Sequence, residues 1–107
     1  MQAGISAPGM MQSHYAPRAQ LRLNATDIRG DEVLLAFGPE PLSGWRHIRN
    51  LSPGGNLHEA AANLFSMLRA LDACGAPTIA VMSIPNTGLG EAINDRLSRA
   101  AASRGQE

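Results

Sequence analysis

The order of apolar segments and glycine-rich turns in the second half of the chain most constrains its fold. A segment with strand character, 46–51, leads through the turn Ser52-Pro53-Gly54-Gly55 into a long helical pattern. The segment 78–84 then leads through the turn 85–88 into a second helical pattern. Residues 78–84 are mostly apolar without alternation, which is typical of a central strand in a parallel sheet. Strands that alternate with helices in this way predict an α/β domain.

Both helices have clear sequence signals. Asn56 is a good N-cap, and Glu59 follows at the spacing of a capping box. Gly75 and Pro77 end the first helix. The second helix is predicted over residues 89–103, before a short C-terminal tail. The apolar positions recur at helical spacing and comprise Leu57, Ala61, Leu64, Leu68 and Leu71 in the first helix and Leu89, Ala92, Ile93, Leu97 and Ala100 in the second.

The first half of the chain is less regular. Short strands are predicted at 21–23 and 33–37, and the connection 38–46 is too short for a usual helical crossover, so the direction of the third strand stays open. Pro8, Gly9 and Pro17 interrupt residues 1–19, which show no periodicity, and this indicates an extended linker. We therefore predict a small Rossmann-like α/β domain over 20–107, with flanking helices and a mostly parallel sheet of three to four strands.

Charge and composition exclude several classes of protein. The 107 residues carry no net formal charge, and the basic residues, all arginine, are scattered, so the chain lacks the electrostatic footprint of a nucleic-acid binder. The single cysteine, Cys74, excludes an internal disulfide and is predicted to be a small, partly buried hydrophobe. No segment has the length and hydropathy of a membrane span, and no signal peptide is visible, so we expect a cytoplasmic protein.

The two glycine turns are the candidate binding elements. Each follows a strand and precedes a helix, so both should lie at the carboxyl edge of the sheet, where ligands commonly bind in α/β folds. Exposed N–H groups at a helix N-terminus favour an anion or nucleotide phosphate. Neither turn is a complete phosphate-binding motif, and tight turns need glycine for purely structural reasons. The candidate residues are Ser52, Gly54, Gly55, Gly88 and Gly90.

No catalytic set is visible in the sequence. The serines lack a nucleophile-elbow context, and no group of His, Cys and acidic residues has metal-ligand spacing. Asp72, Glu91 and Asp95 are predicted on exposed helix surfaces. Together with Arg96 and Arg99, Glu91 and Asp95 are expected to form a solvated face with local ion pairs. We predict neither a catalytic residue nor a metal site.

A proline-punctuated stretch with aromatic character stands out in the linker. It reads Ala7-Pro8-Gly9-Met10, followed by Ser13-His14-Tyr15-Ala16-Pro17. This stretch resembles the interdomain linker of long-form threonylcarbamoyl-adenylate synthases, which joins a YrdC-like catalytic domain to a smaller C-terminal domain. The resemblance extends from about Ala7 to Ala102 and includes Leu51-Ser52-Pro53, the helical pattern 57–72, Gly88-Leu89-Gly90 and Arg96-Leu97. Met11-Gln12-Ser13 departs from the Lys-Tyr-Arg that the family often has, so contacts of those basic residues are not carried over.

The resemblance implies a function for the whole enzyme. It makes threonylcarbamoyl-adenylate from L-threonine, bicarbonate and ATP with magnesium, releases pyrophosphate, and serves the threonylcarbamoyladenosine modification of tRNA. The YrdC-like domain, which would precede Met1, would be the partner of this segment and bind those substrates. The segment itself would need no cofactor. The linker would form a lid over the catalytic pocket, with lid residues Pro8, Gly9, Met10, Ser13, His14, Tyr15 and Pro17.

Two other functions stay open at this point. The chain could be a self-standing nucleotide-binding or nucleotide-hydrolysing module that uses the two glycine turns. It could instead be a protein-interaction domain, for which an apolar surface patch and indifference to nucleotides are expected.

Overall fold

The computed structural model describes residues 17–27, 29–42 and 47–105, with side chains to residue 102. The strands are β1 (Gln20–Ala25), β2 (Val33–Ala36), β3 (Ile48–Asn50) and β4 (Thr78–Met82), and the helices are α1 (Leu57–Asp72) and α2 (Leu89–Gly105). The four strands form one sheet in the order β1-β4-β2-β3. The predicted α/β class is confirmed, and the predicted strand and helix bounds differ from these by three residues or fewer.

The sheet is parallel throughout, which settles the direction of the third strand. β3 pairs with β2 in parallel, with Leu34 opposite Ile48 and Ala36 opposite Asn50. The pairing extends one residue further because the Leu51 N–H donates to the Ala36 carbonyl at 2.8 Å. β4 lies between β1 and β2 and pairs with both in parallel. All four carboxyl ends therefore lie at one edge of the sheet.

Both helices pack on the same face of the sheet. Leu64 and Leu68 of α1 and Leu97 of α2 join one core cluster with Leu35 of β2 and Val81 of β4. Full burial of each such side chain contributes about 1.5–3 kcal/mol. The full cluster comprises Ala19, Val33, Leu35, Leu51, Ala60, Leu64, Leu68, Leu71, Ile79, Val81, Ile84, Ile93 and Leu97. The apolar stripes predicted for the two helices thus meet in a single core.

A contact between the helices adds to this layer. The Arg96 guanidinium of α2 lies 5.6 Å from the centroid of the Phe65 ring of α1. A cation over an aromatic face contributes about 0.5–1 kcal/mol at an exposed site. On the outer side of α2, where local ion pairs were predicted, Arg99 forms one with Asp95, at 3.0 Å.

The end of α1 corrects one prediction. The helix is capped by Ala73, and Gly75 has a φ of 82°, which is the left-handed conformation that ends many helices. Cys74 lies in this turn and is exposed, with its Sγ 3.6 Å from the Ala70 carbonyl oxygen. The prediction of a partly buried Cys74 is wrong because the helical pattern stops at Asp72, so its apolar stripe does not continue to residue 74.

The opposite face of the sheet carries the connection from β1 to β2. Arg22 pairs in register with Ala80, which belongs to a second, smaller cluster on this face. The guanidinium donates to both Glu32 carboxylate oxygens at 2.7 Å and to the Asp27 carbonyl at 2.8 Å. The Arg29 N–H donates to Glu32 as well. Arg22 therefore holds Asp27 and Glu32 at the face that α1 and α2 leave uncovered.

The Glu32 carboxylate should make stability depend on pH. Its side chain is 8% exposed, and the hydrogen bond from Arg22 is the main cause that lowers its pKa below the ordinary glutamate range. A lowered folded-state pKa stabilises the fold at pH above the unfolded-state pKa, and this stabilisation is lost as the pH falls towards the folded-state pKa. We expect Glu32→Gln to lower the free energy of unfolding by about 1.5–3 kcal/mol at neutral pH.

Urea unfolding at neutral pH and at pH 3–4 provides the check, since an ordinary glutamate pKa is about 4.3. The difference between the wild type and Glu32→Gln should shrink at the lower pH. Glu40→Gln, at an exposed position, serves as the control and should change little. An equal difference at both pH values would contradict the role assigned to the Glu32 charge.

Candidate functional site

The two glycine turns lie at the carboxyl edge of the sheet, as predicted. Residues 52–55 follow β3 and residues 85–88 follow β4, with the end of β2 between them. The two helix starts also meet, because Leu57 Cδ1 lies 3.6 Å from the position that a Cβ on Gly90 would occupy. The structure therefore brings the predicted turn residues to one edge and places the N-termini of α1 and α2 side by side.

The first turn caps α1 through Ser52, which is fully buried. The Ser52 hydroxyl accepts a hydrogen bond from the Asn56 N–H at 2.8 Å and donates to the Glu59 carboxylate at 2.6 Å. The Asn56 side chain accepts from the Glu59 N–H at 2.9 Å. This is a variant of the capping box. The Ser52 hydroxyl, instead of the Glu59 carboxylate, accepts from the N-cap N–H, and Glu59 in turn accepts from that hydroxyl. The predicted N-cap is confirmed.

These bonds give the first turn a structural role. The Glu59 carboxylate lies at the positive end of the α1 dipole, where a negative charge is stabilising. Gly55 has a φ of 75°, a conformation that glycine adopts at low cost, and Gly54 is exposed. Anion binding by Ser52, Gly54 and Gly55 stays a prediction.

The second turn needs its glycines for two different reasons. Gly88 has a φ of 55°, whereas Gly90 has ordinary helical geometry but is buried. A Cβ on Gly90 would overlap the Pro85 carbonyl oxygen and approach its carbon to 2.9 Å. The close approach of α2 to the preceding loop thus explains Gly90, and ligand binding at Gly88 and Gly90 stays a prediction.

The last residues of the predicted linker are fixed at the opposite, amino edge of the sheet. Pro17 is fully buried, and Ala19 joins the main core. The N–H groups of Arg18 and Ala19 donate to the two carboxylate oxygens of Asp72 at 3.1 and 2.9 Å. Because the Gln20 N–H donates to the Pro77 carbonyl, β1 begins beside the start of β4.

Asp72 corrects a sequence prediction. It was expected on an exposed helix surface, but it is half-buried and holds the chain where β1 begins. A negative side chain in the last turn of a helix is unfavourable with the helix dipole. The unfavourable position of this aspartate in the last helical turn could have revealed its role from the sequence, since a negative charge there needs a compensating partner. The partners are 53 and 54 residues away, so periodicity could not reveal them.

Comparison with family models identifies the chain. Residues 1–102 match the model described as threonylcarbamoyl-AMP synthase, C-terminal domain. The chain belongs to this family. The match confirms the resemblance drawn from the linker and helix residues, and it places the domain in the context of a multi-domain synthase.

The predicted lid residues of this synthase domain divide into two groups. Pro17 is among the described residues and lies at the amino edge of the sheet. The glycine turns lie at the carboxyl edge, and the five residues of β4 between the two edges span about 16 Å. The other lid residues, Pro8, Gly9, Met10, Ser13, His14 and Tyr15, lie outside the described residues. The linker root and the glycine turns are therefore separate features at opposite edges of the sheet.

The described part of the synthase domain contains neither grouped metal ligands nor a membrane-spanning helix. Among residues 17–27, 29–42 and 47–105, no three His, Cys, Asp or Glu side chains are grouped so that they could hold a metal ion. Neither α1 nor α2 is long and apolar enough to cross a membrane.

Proposed function

We propose that this chain is the accessory, lid-bearing domain of a threonylcarbamoyl-AMP synthase that serves the threonylcarbamoyladenosine modification of tRNA. The observation that carries the proposal is the family match, which begins at residue 1 and so includes the linker as well as the α/β domain. A YrdC-like catalytic domain would bind ATP with magnesium, L-threonine and bicarbonate. This domain would act by holding the linker over that pocket.

The anchoring of the linker root supports this role. A lid can close reproducibly only if its base is fixed to a rigid element. Here the base is fixed by the buried Pro17 and by the two hydrogen bonds from Arg18 and Ala19 to Asp72 at the end of a 16-residue helix.

The chemistry of the reaction gives the lid a purpose. Carbamate and adenylate intermediates hydrolyse easily, so a lid that excludes water protects them. Tyr15 would supply an aromatic face over the bound nucleotide or substrate, and His14 a hydrogen-bond donor. Opening of the lid would also gate product release.

Pyrophosphate release tests the proposal. It should be measured with ATP, L-threonine and bicarbonate for this chain alone, for a YrdC-like catalytic domain from the same synthase family alone, and for the two mixed at high concentration. We expect the full rate only in the mixture. Tyr15→Ala should abolish the gain, and Tyr15→Phe, which keeps the aromatic ring, should retain most of it.

Two results would contradict the lid role. One is a mixture no faster than the catalytic domain alone, which would leave the domain without an effect on catalysis. The other is turnover of ATP by this chain alone, which would favour the self-standing nucleotide module and make Gly54, Gly55, Gly88 and Gly90 its first candidates.

A further inference from the structure

A cleft lies between α2 and the carboxyl ends of β1 and β4. Its volume is about 270 Å³, below the range of about 300–1,000 Å³ that is typical of pockets for drug-sized ligands. Apolar side chains from both strands and from α2 form one part of its lining, and carboxamide and hydroxyl groups form the other. The lining residues are Leu23, Asn24, Val81, Met82, Ile84, Asn86, Asn94, Leu97 and Ser98.

The position of this cleft in the topology is that of a ligand site. The connection after β1 is held on one face of the sheet by Arg22, whereas the connection after β4 leads to α2 on the other face. Neighbouring parallel strands whose connections leave to opposite faces open a crevice at their carboxyl ends, and ligands of open α/β sheets bind in such crevices. β1 and β4 are the neighbouring strands here.

Two carboxamides in the cleft have their orientation fixed by the main chain. Asn94 Nδ2 donates to the Ile84 carbonyl oxygen at 3.0 Å and to Asn86 Oδ1 at 3.2 Å. A carbonyl can only accept, so the first bond sets the amide orientation of Asn94, and the second then sets that of Asn86. No described residue donates to Asn94 Oδ1 or accepts from Asn86 Nδ2. Asn94 Oδ1 is thus an acceptor, and Asn86 Nδ2 a donor, that no described residue engages, and the two lie on adjacent side chains.

The end of β1 is shaped around the same cleft. The register between β1 and β4 shifts between Arg22 and Ala25, and Asn24 has a φ of 58°. Outside glycine, the left-handed conformation is uncommon, although asparagine tolerates it better than most residues. The Ser83 hydroxyl lies 3.2 Å from Asn24 Oδ1 and joins the ends of the two strands. Bulges and unusual backbone conformations are concentrated near binding sites.

We propose that this cleft binds a small, uncharged, flat molecule that presents a hydrogen-bond donor and acceptor side by side, as a nucleobase does. No described lining residue is charged, so the cleft has no cationic side chain to pair with a phosphate. The apolar side chains suit a flat ring, and Asn86 Nδ2 and Asn94 Oδ1 match its polar edge. The site goes beyond the lid role and does not depend on it.

Titrations of the full ¹⁵N-labelled chain test the proposal by NMR. The probes are adenosine, guanosine, cytidine, uridine and nicotinamide, whose donor and acceptor pair is that of a simple carboxamide. We expect saturable shifts of the Asn86 and Asn94 side-chain amides with at least one probe. Comparison of the probes then distinguishes a nucleobase from a simple amide as the preferred ligand.

Matched variants localise the binding. Ser98→Leu places a larger side chain in the cleft, whereas Ser66→Leu makes the same change at an exposed position on α1. Ser98→Leu and Asn86→Ala should each weaken binding by roughly tenfold or more, equivalent to the loss of one good contact, while Ser66→Leu should leave it unchanged. Circular dichroism verifies that each variant is folded. The proposal is overturned if no probe gives saturable shifts, or if folded Ser98→Leu binds as tightly as the wild type.

Discussion

Replacing Gly90 with alanine should lower the free energy of unfolding by about 3 kcal/mol or more, the upper part of the range for overpacking. Alanine is favoured over glycine in a helix interior by up to about 1 kcal/mol. At this position, however, the added methyl group would overlap the Pro85 carbonyl oxygen, which belongs to the backbone and cannot rotate away. The steric cost therefore exceeds the gain in helix propensity.

Thermal and urea unfolding measure this effect. A loss of 3 kcal/mol corresponds to a fall in Tm of roughly 12 °C or more for a domain of this size. Gly54→Ala is the matched control, because no atom beyond its two chain neighbours lies within 4 Å of its added Cβ and its φ is not positive. It should change stability by less than about 0.5 kcal/mol. Equal effects of the two substitutions would show that α2 does not approach the 85–88 loop as closely as described.

The second large effect is expected for Asp72→Ala. This substitution leaves the N–H groups of Arg18 and Ala19 without their carboxylate acceptor. Hydrogen bonds to a charged group contribute about 1.5–3 kcal/mol each, whereas removing a negative charge from a helix C-terminus gains about 0.3–1 kcal/mol. We expect a net loss of about 2–4 kcal/mol, since the exposed bond to Arg18 contributes less than the part-buried bond to Ala19.

Asp72→Ala also links stability to the proposed lid. If the root of the linker positions the lid, the rate enhancement in the mixed pyrophosphate assay should fall by roughly tenfold or more, since small misplacements of positioning groups cost up to about 100-fold. Asp95→Ala on α2 removes an aspartate whose partner, Arg99, is exposed, and it should change neither quantity appreciably. A folded Asp72→Ala variant with the full rate enhancement would show that the anchor stabilises the domain only.

The elements with strong local signals were predicted well. Asn56 and Glu59 marked the start of α1 because a helix cap is made by residues that are three positions apart. Leu64, Leu68 and Leu71 were predicted to share a face because helical periodicity determines which residues point the same way. The glycine turns were placed at the carboxyl edge by the order of strands and helices alone. The resemblance to the synthase family, confirmed over residues 1–102, likewise rested on short motifs in a fixed order.

Contacts between distant segments could not be predicted in the same way. Cys74 was expected to be partly buried because it follows an apolar run, but the helix ended before it. Gly90 was considered for ligand binding because it lies in a glycine-rich turn, and only the position of Pro85 reveals its steric role. The cleft beside α2 was missed altogether, since its asparagines come from β1, from the loop after β4 and from α2.

The sequence by itself determined the type and order of the main elements, the N-cap of α1 and the family, because these depend on residues that are neighbours along the chain. The tertiary structure decided that β4 lies between β1 and β2, that both helices cover one face, and that Asp72 holds the root of the linker. These arrangements depend on which segments bury their apolar faces together, and that choice is the sum of many weak contacts between residues far apart in the chain. A local sequence pattern therefore does not predict these arrangements.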